Sequence, residues 1–199
     1  MNKYDILGYV VIVLVLAASA YMYFDSSDSF NLKCIVSTVD GNKYCVRERA
    51  KEQAAVDLLA SVTKKCKQLV DYMNQKHPDD ERVQRLDSGF NPQKVMETLP
   101  NSVHTAYSEN KGEKVAFCLN RSKNNNDNLI DMPTLMFVAI HELSHIMTES
   151  IGHKSDFWAN FKFLLENAKA AGIHDPVDYK SKPAEYCGMK IKDNPYYDV

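Results

Sequence analysis

The hydrophobic positions of this chain follow three different patterns, and each predicts a different kind of element. The first is unbroken. Residues 6–24, ILGYVVIVLVLAASAYMYF, carry no charge at all. As a helix rising about 1.5 Å per residue, this run is roughly 28 Å long, close to the hydrocarbon thickness of a bilayer. Tyr4, Tyr9, Tyr21, Tyr23 and Phe24 sit near its two ends, where interfacial aromatics collect. The run has no polar face, as a helix packed on a globular core would. The expectation is therefore a transmembrane anchor over 1–25. A cleaved signal peptide is the rival reading, since AASA resembles a small-residue cleavage site.

The second pattern has period two. After the polar tether 26–33, LKCIVSTVDGNKYCVRE alternates around Asp40-Gly41, a strong turn pair, and predicts a β-hairpin. VHTAYSENKGEKVAFCLN predicts two more strands around Asn110-Lys111-Gly112. The third pattern has helical period. Val56, Leu59, Val62, Cys66, Leu69 and Met73 form one apolar stripe that stops before His77-Pro78, because proline disfavours helix in the residue preceding it. Residues 79–101 read as polar and irregular, with a short helix at 92–99. A further helix is expected from Asp131 as N-cap, with Pro133 in the first turn, to Glu149 or Ser150, where Gly152 supplies a stop. A last amphipathic helix starts near Asp156 and carries Phe157, Trp158, Phe161, Leu164 and Leu165. The tail from His174 reads as a surface wrap.

Composition narrows the picture modestly. The 199 residues suffice for one domain, here 34–199, plus the anchor. A net charge of −2 gives no strong nucleic-acid signal. Lys3 and the amino terminus precede the apolar run while Asp25 and Asp28 follow it. The positive-inside rule therefore favours a cytoplasmic N-terminus with the domain on the opposite side, in a cell or virion membrane. The five cysteines, Cys34, Cys45, Cys66, Cys118 and Cys187, include no C-x-x-C pair. Outside the cytosol disulfides are expected, and Cys34 and Cys45 could face each other across the hairpin; inside it they read as small buried hydrophobes. Asn120-Arg121-Ser122 is a glycosylation sequon, meaningful only in a secretory lumen.

The candidate chemistry lies in HELSHIMTESIGHKSDFW, residues 141–158. Positions i and i+4 of a helix lie about 40° apart on one face, so His141 and His145 can each direct a nitrogen at one Zn²⁺. Glu142 then flanks the metal without binding it, as general base toward the attacking water. A catalytic zinc needs a third protein ligand and an open position. His153 is the choice, because the chain can turn back at Gly152. Glu149 is the rival, and Asp156 and His174 are weaker. Tyr186, Tyr179 and His174 qualify by type as oxyanion donors, without a position.

The same stretch resembles the WLM (Wss1-like) metallopeptidases and, more distantly, the SprT group, on His141-Glu142-Leu143-Ser144-His145, Gly152-His153 and Phe157-Trp158. The resemblance covers about 131–166. It implies His141, His145 and His153 as metal ligands, Glu142 as base, Zn²⁺ as cofactor, and an edge strand near 115–119 beside the cleft. Members of that family are typically soluble and cleave proteins crosslinked to DNA, whereas this chain has an apolar anchor and no basic run. Small membrane-anchored chains of this kind also resemble gene products of large DNA viruses. The metzincin spacing is not met, and Met189 is only a look-alike of a Met-turn.

The expected fold is thus α+β and zincin-like, with an active-site helix, a small antiparallel sheet with hairpins and an N-terminal transmembrane helix. The expected function is a membrane-anchored zinc metallopeptidase acting on a peptide or protein substrate. The alternative is a non-catalytic membrane-anchored structural protein, a scaffold or virion component, in which zinc stabilises the same fold.

Overall fold

The computed structural model describes residues 3–27, 32–122 and 128–198, with side chains from 8 to 20 in the first of these segments. The first helix, α1 (Lys3–Ser27), exposes Tyr9 through Leu16 on all sides. No helix among the described residues is long and apolar enough to cross a membrane. The ends of the expected span, 6–7 and 21–24, lie outside the described side chains, as do residues 28–31 of the expected tether.

The period-two segments form the expected hairpins. β1 (Lys33–Val36) and β2 (Lys43–Val46) pair antiparallel, with Gly41 in the left-handed turn conformation (φ 74°) and Cys34 opposite Cys45, to which it is disulfide-bonded. α2 (Glu52–Lys76) buries the whole stripe Val56, Leu59, Val62, Cys66, Leu69 and Met73. The hairpin is held on α2 by Asp57, whose carboxylate accepts from the Ser37 hydroxyl and from both the N–H and hydroxyl of Thr38, all at 2.8 Å.

Residues 79–101 are more ordered than their polarity suggested. α3 (Glu81–Gly89) starts at Asp80, whose side chain caps the Arg82 N–H, and buries only Val83 and Leu86. Two apolar residues are too few to show as a period. The expected helix at 92–99 is instead one 3₁₀ turn (Pro92–Lys94) followed by the strand β3 (Val95–Glu97). That strand exists because it finds a partner: it pairs in parallel with β5 (Lys114–Phe117), which pairs antiparallel with β4 (Ala106–Glu109). The main sheet is therefore mixed, in the order β3-β5-β4. β5 is its central strand and β3 and β4 are its edges, of which β4 packs on α4, so the expectation of an edge near 115–119 is corrected. A hairpin's pattern does not say which arm takes a third strand.

Helix α4 (Met132–Met147) runs through the middle, packed by α2, α3, α5 (Ser155–Ala170) and β4, and twelve of its residues are buried. Asp131 caps it by accepting from the Thr134 N–H, with Pro133 in the first turn. It stops at Met147, short of the expected Glu149. Thr148 turns extended, and its buried hydroxyl donates to Ser144 O at 2.7 Å.

The C-terminal tail also departs from expectation. It forms the hairpin β6 (Ala184–Tyr186) and β7 (Met189–Ile191), and buries Tyr179, Tyr186 and Cys187 in the core. Cys187 is disulfide-bonded to Cys118 at the end of β5. Cys66 is a free buried thiol, pushed up to about 12 by burial and hence inert. The sequon residue Asn120 is fully buried, its amide oxygen accepting from Arg49, and offers no surface for a glycan. Arg49 also pairs with buried Glu97. Burial raises that carboxyl's pKa, while Arg49 and the Arg47 N–H pull it down.

Candidate metal centre

α4 presents His141 and His145 one turn apart, as helical geometry demands. Beyond Thr148 the chain reverses through Gly152, which adopts φ 83°, and brings His153 back onto the same face. His153 Nε2 lies 3.0 Å from His141 Nε2 and 3.1 Å from His145 Nε2. One ring nitrogen has a single in-plane site, either a proton or a lone pair, so His153 Nε2 can hydrogen-bond one neighbour but not both. A cation held between the three would account for both short approaches. Two nitrogens bound tetrahedrally to zinc at about 2.0–2.1 Å are about 3.3–3.4 Å apart, close to the spacing found.

The electrostatics agree with a ligand set. Burial lowers His141 to about 3, helped by the neighbouring His145 and His153. Burial also lowers His145 to about 4, with His153 and Lys111 adding to the effect. Both imidazoles are neutral at pH 7 with lone pairs available for a metal. Glu149 is exposed on the loop beyond the helix, Asp156 accepts from the Ser150 hydroxyl, and His174 is buried elsewhere; none joins the three-histidine cluster.

Phe157, at the start of α5, forms the floor. Its fully buried ring lies 4.9, 4.4 and 4.6 Å from the rings of His141, His145 and His153. Trp158 flanks His153 at 5.8 Å. Lys111 fixes the loop that carries His153: its ammonium donates to Thr148 O at 2.6 Å and to the carbonyls of Glu149 and Ser150 at 3.2 Å. Lys111 reaches there because Gly112 and Gly89 let two backbones touch. A Cβ on Gly89 would lie 2.5 Å from Lys111 O. The sequence marks Asn110-Lys111-Gly112 as a turn, and nothing local reveals the lysine's partner.

The three histidines and Glu142 open into a cleft of about 770 Å³ bordered by β4, the end of α4, the 150–153 loop and the β6–β7 hairpin. Glu142 is only 5% exposed. Burial raises its pKa to about 8, opposed by a hydrogen bond from the Ser108 backbone of β4. Of the three oxyanion candidates, Tyr186 alone lines the cleft. Its hydroxyl already donates to Thr105 O and accepts from the Cys118 N–H, both at 3.1 Å. Tyr179 packs edge-on against Phe137, away from the cleft lining.

A helix-borne histidine pair, a third histidine returned by a turn and an adjacent buried carboxylate define a candidate divalent-metal centre. No protein-family profile matches the chain. Over 199 residues it is 26% identical to uncharacterized protein R325 of Acanthamoeba polyphaga mimivirus, covering 98% of each chain. It is 31% identical over 77 residues to uncharacterized protein 136R of Invertebrate iridescent virus 6, covering 38% of this chain and 41% of that one. Among solved structures, Wss1 from Saccharomyces cerevisiae aligns over 62% of this chain and 86% of its own, at 16% identity and a TM-score of 0.46.

Proposed function

We propose that this protein is a zinc-dependent peptidase in which His141, His145 and His153 hold the metal and Glu142 is the general base. The observation that supports this most directly is the approach of His153 Nε2 to both other Nε2 atoms, 3.0 and 3.1 Å, beside a buried carboxylate in an open cleft. Zinc bound there would supply Lewis-acid polarisation of the scissile carbonyl and a more acidic attacking water. Glu142 takes a proton from that water as its oxygen adds to the carbonyl carbon. As the C–N bond breaks, Glu142 passes the proton to the leaving amine. Water and peptide become one acid and one amine, and Glu142 returns to its starting state. Burial raises this carboxyl in the metal-free chain, and a dication held by the three histidines would favour the ionised form that a base requires. Phe157 packs against all three imidazoles.

The reading includes attachment to a membrane through 6–24, with the domain on the non-cytosolic face of a cellular or virion membrane. Support comes from the all-round exposure of Tyr9 through Leu16 and from the disulfides Cys34–Cys45 and Cys118–Cys187, which belong to oxidising compartments.

The deciding experiment is Glu142→Gln in the full-length chain. Zinc content should stay at one per chain while peptide hydrolysis disappears. Retained hydrolysis would remove Glu142 from its role. A fourth protein ligand on the metal, with no hydrolysis by the wild type, would favour the scaffold. Carbonate extraction tests the anchor, and release of intact chain into the supernatant would refute it.

A further inference from the structure

The cleft is chemically lopsided about Glu142, and β4 gives it a direction. Ser108 and Glu142 line the same cleft, so the middle of β4 faces the general base. At the Ala106 end stands the β6–β7 hairpin, joined to Thr105 by the Tyr186 hydroxyl at 3.1 Å, with the Met189 sulfur 3.9 Å from the Thr105 hydroxyl. At the Glu109 end lies the loop after α4, reached through Lys111. Phe137 and Val138 sit one turn before His141 and Glu142 on α4. With Tyr186, Met189 and Ile191 they line the hairpin end of the cleft. None of these five side chains carries a formal charge.

An extended peptide would add to β4 through the free edge that β4 presents away from β5. Antiparallel pairing is the more stable per residue. A peptide so placed runs from the Lys111 end toward the hairpin, and the residue after the bond facing Glu142 enters the apolar half. A charged side chain would lose hydration against these five groups, the exposed His104 being the titratable residue that also lines this end.

We propose that the pocket formed by Phe137, Val138, Tyr186, Met189 and Ile191 selects a bulky apolar side chain on the C-terminal side of the bond facing Glu142. The proposal rests on the peptidase reading above. The substrate class is an extended polypeptide segment with Leu, Ile, Met or Phe at that position.

The test presents the zinc-loaded full-length chain with a peptide library and sequences the cut sites. Bulky apolar residues just after the cut should be enriched about tenfold over Lys or Glu. Met189→Lys, a change at a half-exposed position, should move the preference toward Asp and Glu at that same place. No preference there, a preference confined to the N-terminal side, or an unchanged profile for Met189→Lys would overturn the proposal. A second arm measures binding of uncut peptides to the full-length Glu142→Gln chain, with and without zinc, by fluorescence anisotropy. Peptides carrying Leu should bind about tenfold more tightly than the same peptides carrying Glu. If nothing is cut, the hydrolytic reading falls, and this binding order alone decides the pocket; equal binding would end it.

Discussion

The Lys111 ammonium donates to Thr148 O at 2.6 Å, and so ties the turn between β4 and β5 to the end of the helix that carries His141 and His145. Cations at a helix C-terminus satisfy its last carbonyls and complement its dipole. Here the same contact also sets the first residues of the loop leading to His153.

Lys111→Met should therefore weaken zinc binding about tenfold, the usual consequence of losing a group that orients a ligand. Lys111→Arg should recover most of it. Competition with a chromophoric chelator measures both. Unchanged zinc affinity in Lys111→Met, with only a lower Tm, would make the lysine a simple helix cap.

Acid should destabilise the metal-free protein below pH 6.5 through its buried histidines. His174 is buried, its Nε2 lacks a partner, and burial lowers it to about 4. Unfolded, it titrates near 6.5, so between pH 6.5 and 4 the unfolded chain binds a proton that the folded chain refuses. Stability is then full above pH 6.5 and falls as the pH drops to 4, by about 3 kcal/mol for this residue. His141 and His145 act in the same direction. Urea unfolding at several pH values should show His174→Leu losing less stability between pH 6.5 and 4 than the wild type. Parallel curves would show that His174 is protonated in the fold.

The two disulfides should contribute unequally. Cys118 and Cys187 are 69 residues apart and Cys34 and Cys45 only 11. Chain-entropy loss scales with the logarithm of the loop, giving about 4 kcal/mol for the first and about 3 for the second. Cys187→Ala should lower Tm more than Cys34→Ala, and should also loosen the β6–β7 wall of the cleft. Calorimetry of the two variants decides the order.

Local chemistry was readable from the chain. His141 and His145 share a face because they are four apart on a helix, the Asp131 cap and Pro133 mark where that helix begins, and Asp40-Gly41 sets the first hairpin along with the Cys34–Cys45 pairing it allows. His153 was reachable because Gly152 permits the reversal. Each of these depends on neighbours within a dozen residues.

What lay far apart in sequence could be settled only by packing. Val95–Glu97 became a strand because β5 offered it an edge, and that left β4, not β5, beside the cleft. The tail from His174, polar enough to pass for a surface wrap, supplies Tyr186 and Met189 to the cleft, because Cys187 meets Cys118 across the domain. The helix beginning at Asp131 ended at Met147 because Thr148 folds its hydroxyl onto Ser144 and Lys111 takes the carbonyls that follow. Spacing along the chain determines which side chains one element presents together. Which elements then face one another follows from burying apolar area and pairing backbone groups over the whole domain, and no local pattern encodes that.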